Sequence, residues 1–219
     1  MPASDVLASV LETRLAPPAY AWIHGVLDAT YAPFDARTFR AEWARVGRRT
    51  GSAVVELTLG EAAAVCQQGD TPPVGWGLDE VARAALLLRA LAVSDADTHV
   101  PLVYGLYQRG TIRERQAVLR VLAWLPDPAR FVDLAAEASR THVISVFEAL
   151  VLANPYPARW FVRPLFDQHV QKALSLRMPP ERIVGLADRV ASGPAPRISA
   201  TAPIARHPAH PALRALIAP

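Results

Sequence analysis

The sixteen residues Leu78–Val93, LDEVARAALLLRALAV, decide the fold class. Val81, Ala85, Leu88 and Ala92 recur at helical spacing and make one stripe, and the period-two alternation of a half-buried strand is absent. Asp79 and Arg83 stand four apart in the order that supports a helix, and with Arg89 they are expected on the surface. Similar spacing continues downstream. Helices are predicted over 100–108, ending at Gly110, and over 112–125, closed by Pro126-Asp127-Pro128. Others follow over 129–139, 142–153, 158–178 and 180–190, and Pro164 is expected to kink or divide the third of these.

Upstream the pattern is helical but less regular, with helices predicted over 4–15, 19–31 and 35–48, each separated by proline. The stretch 52–59, SAVVELTL, has the composition of a strand. With no second such run to pair its backbone, it is read as loop or irregular helix. Residues 67–77, QQGDTPPVGWG, read as an exposed loop. The predicted fold is all-α, an array of antiparallel helix pairs resembling a short HEAT-like solenoid. Residues 86–93 (LLLRALAV) and 117–124 (AVLRVLAW) resemble each other at an offset near the period of helical repeats. One helical domain is expected over 1–191, irregular over 1–75 and regular over 76–190, followed by a proline-rich basic tail over 192–219.

With 219 residues, 52% of them hydrophobic and 20% charged, the chain can bury one sizeable core, which excludes disordered and collagen-like classes. A formal charge of +3 suggests nucleic acid until the charges are placed. Arg197, Arg206 and Arg214 carry the whole excess, in a tail without a single acid; residues 1–191 are balanced. Three dispersed arginines release few counterions, so no nucleic-acid partner is expected. The only cysteine, Cys66, excludes an internal disulfide; it lies in an alanine-rich helical stretch and is expected to pack as a small apolar side chain. The N-terminal stretch lacks the basic start and apolar core of a signal peptide, and no apolar run approaches the roughly 20 residues of a membrane span. A cytoplasmic chain without a transmembrane segment is expected.

Unusual polar residues concentrate in 137–172, EASRTHVISVFEALVLANPYPARWFVRPLFDQHVQK. Asn154 ends one predicted helix and Pro157 can open the next, where its missing N–H costs nothing. Tyr156 is thereby fixed in a rigid corner. Asn154 and Tyr156 present an amide and a phenol to a ligand, or else form a helix–helix corner whose Tyr packs and donates one hydrogen bond. Glu137 and Arg140 are three apart near a helix end. On a continuous helix Arg159 and Arg163 share a face, where an anion or a carboxylate such as Glu137 or Glu148 would relieve their repulsion; Arg115 is a further candidate neighbour. Ordinary ion pairing between helices is the competing explanation. Glu137, His142, Glu148, Asp167 and His169 lack the Glu-x-x-His spacing that puts two metal ligands on one helix face, so no metal is expected. Lys172, the only lysine, invites a Schiff-base role, but no phosphate-binding glycine loop accompanies it, and a solvated lysine is expected. His207 and His210 read as tail composition. No Gly-x-Ser-x-Gly, His-Glu-x-x-His, Walker or dinucleotide signature occurs, and no cofactor is expected.

The order of several motifs resembles the EboA family: an Arg-Thr element at Arg140-Thr141, Phe147-Glu148-Ala149, Asn154-Pro155-Tyr156-Pro157-Ala158, and a helix bearing Gln168 and Lys172. Flanking resemblance includes Trp76-Gly77-Leu78-Asp79, Arg113-Glu114-Arg115, Leu125-Pro126-Asp127-Pro128 and Gly185-Leu186-Ala187-Asp188-Arg189, so it covers roughly 76–190. The chain departs from the family pattern at His142, where Asn is usual, and over Asp167-Gln168-His169-Val170-Gln171-Lys172, where Asn-Gln-Met-Val-Leu-Lys is usual. The family's C-terminal Glu- and Arg-rich helical motif is replaced by the proline-rich tail. Such proteins are encoded beside a membrane prenyltransferase and enzymes resembling sugar-phosphate and cyclitol enzymes, in clusters that make or export a secondary metabolite. The resemblance therefore implies an accessory protein that binds a pathway enzyme or a small anionic metabolite. Its candidate ligand-binding residues are Glu137, Arg140, His142, Glu148, Asn154, Tyr156, Arg159, Gln168 and Lys172. The alternative is an enzyme acting on a phosphorylated, prenylated or cyclitol-like intermediate, with Arg140 and Arg159 holding the anion and Glu137, Tyr156 or His142 moving protons.

Overall fold

Helix-period patterning becomes helix wherever capping and proline allow it. The computed structural model describes residues 2–29, 33–66 and 71–191; the tail expected over 192–219 lies outside the described residues. Among the described residues there are twelve α-helices and no strand, so the fold is all-α. Contacts divide the chain into two compact units, 1–131 and 132–219.

The first unit contains α1 (Ala3–Glu12), α2 (Pro17–Ala29), α3 (Ala36–Thr50), α4 (Leu59–Cys66), α5 (Leu78–Val93), α6 (Ala96–Arg109) and α7 (Ile112–Val121), followed by 3-10 turns at Leu122–Trp124 and Pro128–Phe131. Asp35 caps α3 by accepting from the amides of Arg37 and Thr38. Thr111 and Glu114 close a reciprocal capping box on α7. The core is built around α5, on which α1, α2, α3 and α7 all pack. Thirteen of its sixteen residues are buried, among them Asp79, Glu80 and Arg83. This corrects the expectation that Asp79 and Arg83 lie on the surface: a helix covered on most sides buries its polar face as well. Ala92, expected in the stripe, is exposed because the helix emerges from its neighbours there.

The buried charges are paired with one another. Arg83 pairs with Asp79 at 2.8 Å and its guanidinium lies over the Trp43 ring. Burial lowers the Arg83 pKa, and Asp79 and Glu114 oppose that shift. Arg113, from α7, donates to both carboxylate oxygens of Asp79. Glu80 accepts from the Gly77 amide at 2.7 Å, with Arg120 3.3 Å away. A Cβ on Gly77 would lie 2.5 Å from the Arg113 guanidinium and 2.8 Å from the Asp79 carboxylate, so any other residue there would displace this ion pair. Residues 52–59 form no strand; Val54 makes an isolated bridge with Gly77, and the amides of Val55 and Leu78 bond across this crossing. The two resembling segments separate in conformation: 86–93 is α-helical throughout, whereas 117–124 leaves the α-helix at Leu122. Cys66, expected to pack, is exposed at the end of α4.

The second unit contains α8 (Val132–Ser139), α9 (Ile144–Val151), α10 (Tyr156–Trp160), α11 (Arg163–Ser175), a 3-10 turn at Pro180–Arg182 and α12 (Leu186–Ala191). The helix predicted over 158–178 is broken ahead of Pro164, which instead opens α11 in its first turn. Arg159 and Arg163 therefore lie on different helices, and the expectation that they share one face is corrected. Gly185, at φ 73°, lets the chain turn into α12 with its Cα against Ala158. Arg189 then donates to the carbonyls of Ala158 and Phe161 at 2.7 and 2.9 Å and covers the Phe166 ring.

Candidate functional site

The sequence-predicted residues separate into three groups. The first is the corner after α9. Asn154 and Tyr156 are both buried, Tyr156 completely. The Asn154 side chain donates to the Ala149 carbonyl and accepts from the Tyr156 amide, each at 2.9 Å. Tyr156 packs between Trp160 and Phe161. These contacts are those of a structural corner; neither side chain faces an open surface.

The second group is scattered. Glu137 and Arg159 are exposed and Glu148 is half-buried. Glu137 and Arg140 form no ion pair, and Arg163 turns instead to Asp167, 3.6 Å away on its own helix. Arg159 lies over Trp160. Arg115, in the first unit, donates to the carbonyls of Gly110 and Gln108. No group of three His, Cys, Asp or Glu side chains among the described residues is placed to hold a metal.

The third group comes together. Arg140, His142, Gln168 and Lys172, with Ser139, Leu165 and His169, line a cavity of about 350 Å³ in the second unit, within the range of small-ligand sites. Two elements build it: the C-terminal end of α8 with the turn after it, and one face of α11. Leu165, Gln168, His169 and Lys172 fall at i, i+3, i+4 and i+7, so the straight helix aligns them. Arg140, His142 and Gln168 are exposed; Ser139 and His169 are buried.

Lys172 is held rather than solvated, which corrects the expectation. Its ammonium donates to the carbonyls of Ser139 and Thr141 at 2.7 and 2.6 Å and lies 4.3 Å from the centre of the Phe147 ring. The carbonyls at the end of α8 lack helical partners, and a cation there answers both them and the helix dipole. Burial lowers the lysine pKa. His169 is only 2% exposed and is enclosed edge-to-face by Phe147 and Phe161. Its Nδ1 is 2.9 Å from the Ser139 hydroxyl, and its Nε2 has no partner. Burial, assisted by the charge of Lys172, pushes its pKa down to about 3, so the ring is neutral at physiological pH. The lining thus holds two cations, the imidazoles of His142 and His169, a hydroxyl and an amide, and no carboxylate. Such a set can hold an oxyanion.

Sequence reasoning missed Ser139 as a site residue, and considered His169 only in a metal set that its spacing excluded. The stripe 165, 168, 169, 172 on one helix was the available signal. In the first unit, a groove of about 500 Å³ walled by Trp22, Val26, Phe34 and Phe39 gathers none of the predicted residues. No described helix is long and apolar enough to cross a membrane.

No curated protein and no solved structure matches the chain. A family model does, that of the metabolite traffic protein EboA, over residues 3–206. The match reaches well beyond the 76–190 span of the motif resemblance, into the N-terminal helices and the first part of the tail. The span of roughly 76–190 expected from the motifs is thus the middle of a longer match. By a match that takes in both units, the chain belongs to the EboA family.

Proposed function

We propose that this chain is an accessory protein of metabolite traffic, in a pathway of specialised metabolism, and that it binds a small anionic metabolite in the cavity between α8 and α11. The observation that carries this reading is the lining: Arg140 and Lys172 enter one cavity with no acidic side chain opposite them. In a protein whose body is charge-balanced, two cations gathered without a carboxylate favour an anion as the missing partner. The family description, metabolite traffic, agrees with a binding role. The enzyme reading draws less support, because of its three proton-transfer candidates Tyr156 is wholly buried, Glu137 does not line the cavity, and only His142 does.

Titration of the full chain with glucose 6-phosphate and with glucose, followed by calorimetry, tests the proposal. Binding of the phosphate ester but not of glucose, weakened by Arg140→Ala, is expected. Equal response to both sugars, or phosphate-ester binding indifferent to Arg140→Ala, would sink it.

A further inference from the structure

His169 is the one member of the cavity lining whose burial has no structural return at its second nitrogen. An imidazole carries one proton when neutral, so one ring nitrogen donates and the other accepts. Ser139 is the neighbour of Nδ1, and the two possible tautomers leave different remainders. If Nδ1 carries the proton and donates to Ser139, the serine hydroxyl proton and the Nε2 lone pair are both left unmatched in a buried place. If Ser139 donates to Nδ1, the proton is on Nε2 and only that one N–H lacks a partner. Buried polar groups are costly when unmatched, so the arrangement with one orphan is favoured over the arrangement with two. An N–H that is buried, neutral and unpaired, on a ring that lines a cavity with two cations, is a donor waiting for an acceptor.

Resting on the anion-binding reading above, we propose that Ser139 fixes His169 as the Nε2–H tautomer and that this N–H, with the Lys172 ammonium and the Arg140 guanidinium, receives the phosphoryl oxygens of a small phosphate ester. Each donor is positioned by a different device. The serine sets the proton of His169. The carbonyls of Ser139 and Thr141 take two of the three Lys172 protons and leave one. Arg140 is exposed and makes no ion pair, so its planar fork is available to bind two oxygens at the mouth. A dianionic phosphoryl group matches two cations in charge, and a neutral third donor adds a hydrogen bond without adding a third positive charge to a small cavity. The ring need not change protonation on binding.

Long-range nitrogen–proton correlation spectra of the labelled full chain report each histidine tautomer directly. His169 is assigned by its loss in His169→Gln. The expected spectrum has a protonated Nε2 and a bare Nδ1, with Nε2 shifting on addition of inorganic phosphate. His169→Phe, which suits the pocket of Phe147 and Phe161, should lower affinity for inorganic phosphate by about 10- to 100-fold, the effect of losing a hydrogen bond to a charged group. His169→Gln, whose amide can place a donor near Nε2, should recover part of that loss. Ser139→Ala should also weaken binding and mix the tautomers. A ring merely filling space would give the opposite order, with Phe at least as good as Gln. A protonated Nδ1 in the wild-type chain, or phosphate binding equal in wild type and His169→Phe, overturns this proposal while leaving the anion site standing. Failure of wild type to bind either phosphate or glucose 6-phosphate overturns the site itself.

Discussion

Arg113 on α7 closes onto the carboxylate of Asp79 on α5, and that carboxylate is simultaneously held by Arg83 one helical turn away. Asp79 is only 2% exposed, so two guanidiniums depend on one buried anion. Asp79→Ala would leave Arg83 buried without its nearest counter-charge. The expected cost is about 3–5 kcal/mol of unfolding free energy, read from the urea midpoint. Arg113→Ala should cost clearly less, because that side chain is 41% exposed and water can replace it at Asp79.

Gly185 should resist replacement for two separable reasons. Its backbone is left-handed, and an added Cβ would lie 2.6 Å from the Cβ of Ala158. Gly185→Ala is expected to destabilise by about 1–3 kcal/mol in thermal or urea unfolding. Adding Ala158→Gly removes the collision but not the backbone cost, so the double variant should regain only part of the loss relative to Ala158→Gly alone.

Acid should weaken the fold through His169 before it does so through the carboxylate of Glu61. The folded-state pKa of His169, about 3, lies below the ordinary value near 6.5 for an unfolded chain. As pH falls below 6.5 the unfolded chain takes the proton first, and stability is lost progressively down to about pH 3. Between pH 7 and pH 5 this amounts to about 2 kcal/mol, from about 1.4 kcal/mol for each pH step in that window. His169→Phe should flatten that part of the profile, while Lys172, Arg140 and His142 remain in place. Glu61 behaves in the opposite range: hydrogen bonds from Arg14 hold its pKa down to about 2, so its contribution is complete above about pH 4.5 and is lost as pH falls towards 2.

Arg140 and Lys172 should respond differently, although both line the cavity. Lys172→Met removes two hydrogen bonds to carbonyls at the end of α8, and about 1–2 kcal/mol of stability should go with them. Arg140→Ala changes an exposed side chain without an ion pair and should stay within about 0.5 kcal/mol of wild type. Phosphate affinity should fall in both. Chemical unfolding beside calorimetric titration separates the two effects.

The helical class was legible because the period of α5 is plain and its ends carry the right residues. What the pattern concealed was depth. Asp79 and Arg83 read as a surface pair, since four-residue spacing of opposite charges is the same whether water or other helices lie above it; only packing by α1, α3 and α7 buries them. The break at Phe161 was expected near Pro164, but its consequence for Arg159 and Arg163 was not, because one proline moves two charges onto different helices. Of the predicted residues, Arg140, His142, Gln168 and Lys172 line one cavity, and all come from the segment that carries the family resemblance. Asn154 and Tyr156 were drawn in by that resemblance too, yet they are occupied by the corner they form. Ser139 escaped notice and His169 was weighed only as a metal ligand, because small hydroxyls and core histidines are ordinary in helices; their pairing across thirty residues is a property of the fold.

The packing of α1 on α5 has a consequence for how the chain is made. α1 ends at Glu12, and the helix it rests on is complete only at Val93. At ribosomal speeds of roughly 5–20 residues per second, the first helix waits about 4–16 s for its partner. During that interval Val6, Leu7, Val10 and Leu11, all buried in the finished protein, lack the packing that α5 gives them. The arrival of α5 is then the event that commits the first unit, and Arg89, which bonds Asp5, registers that α1 has docked.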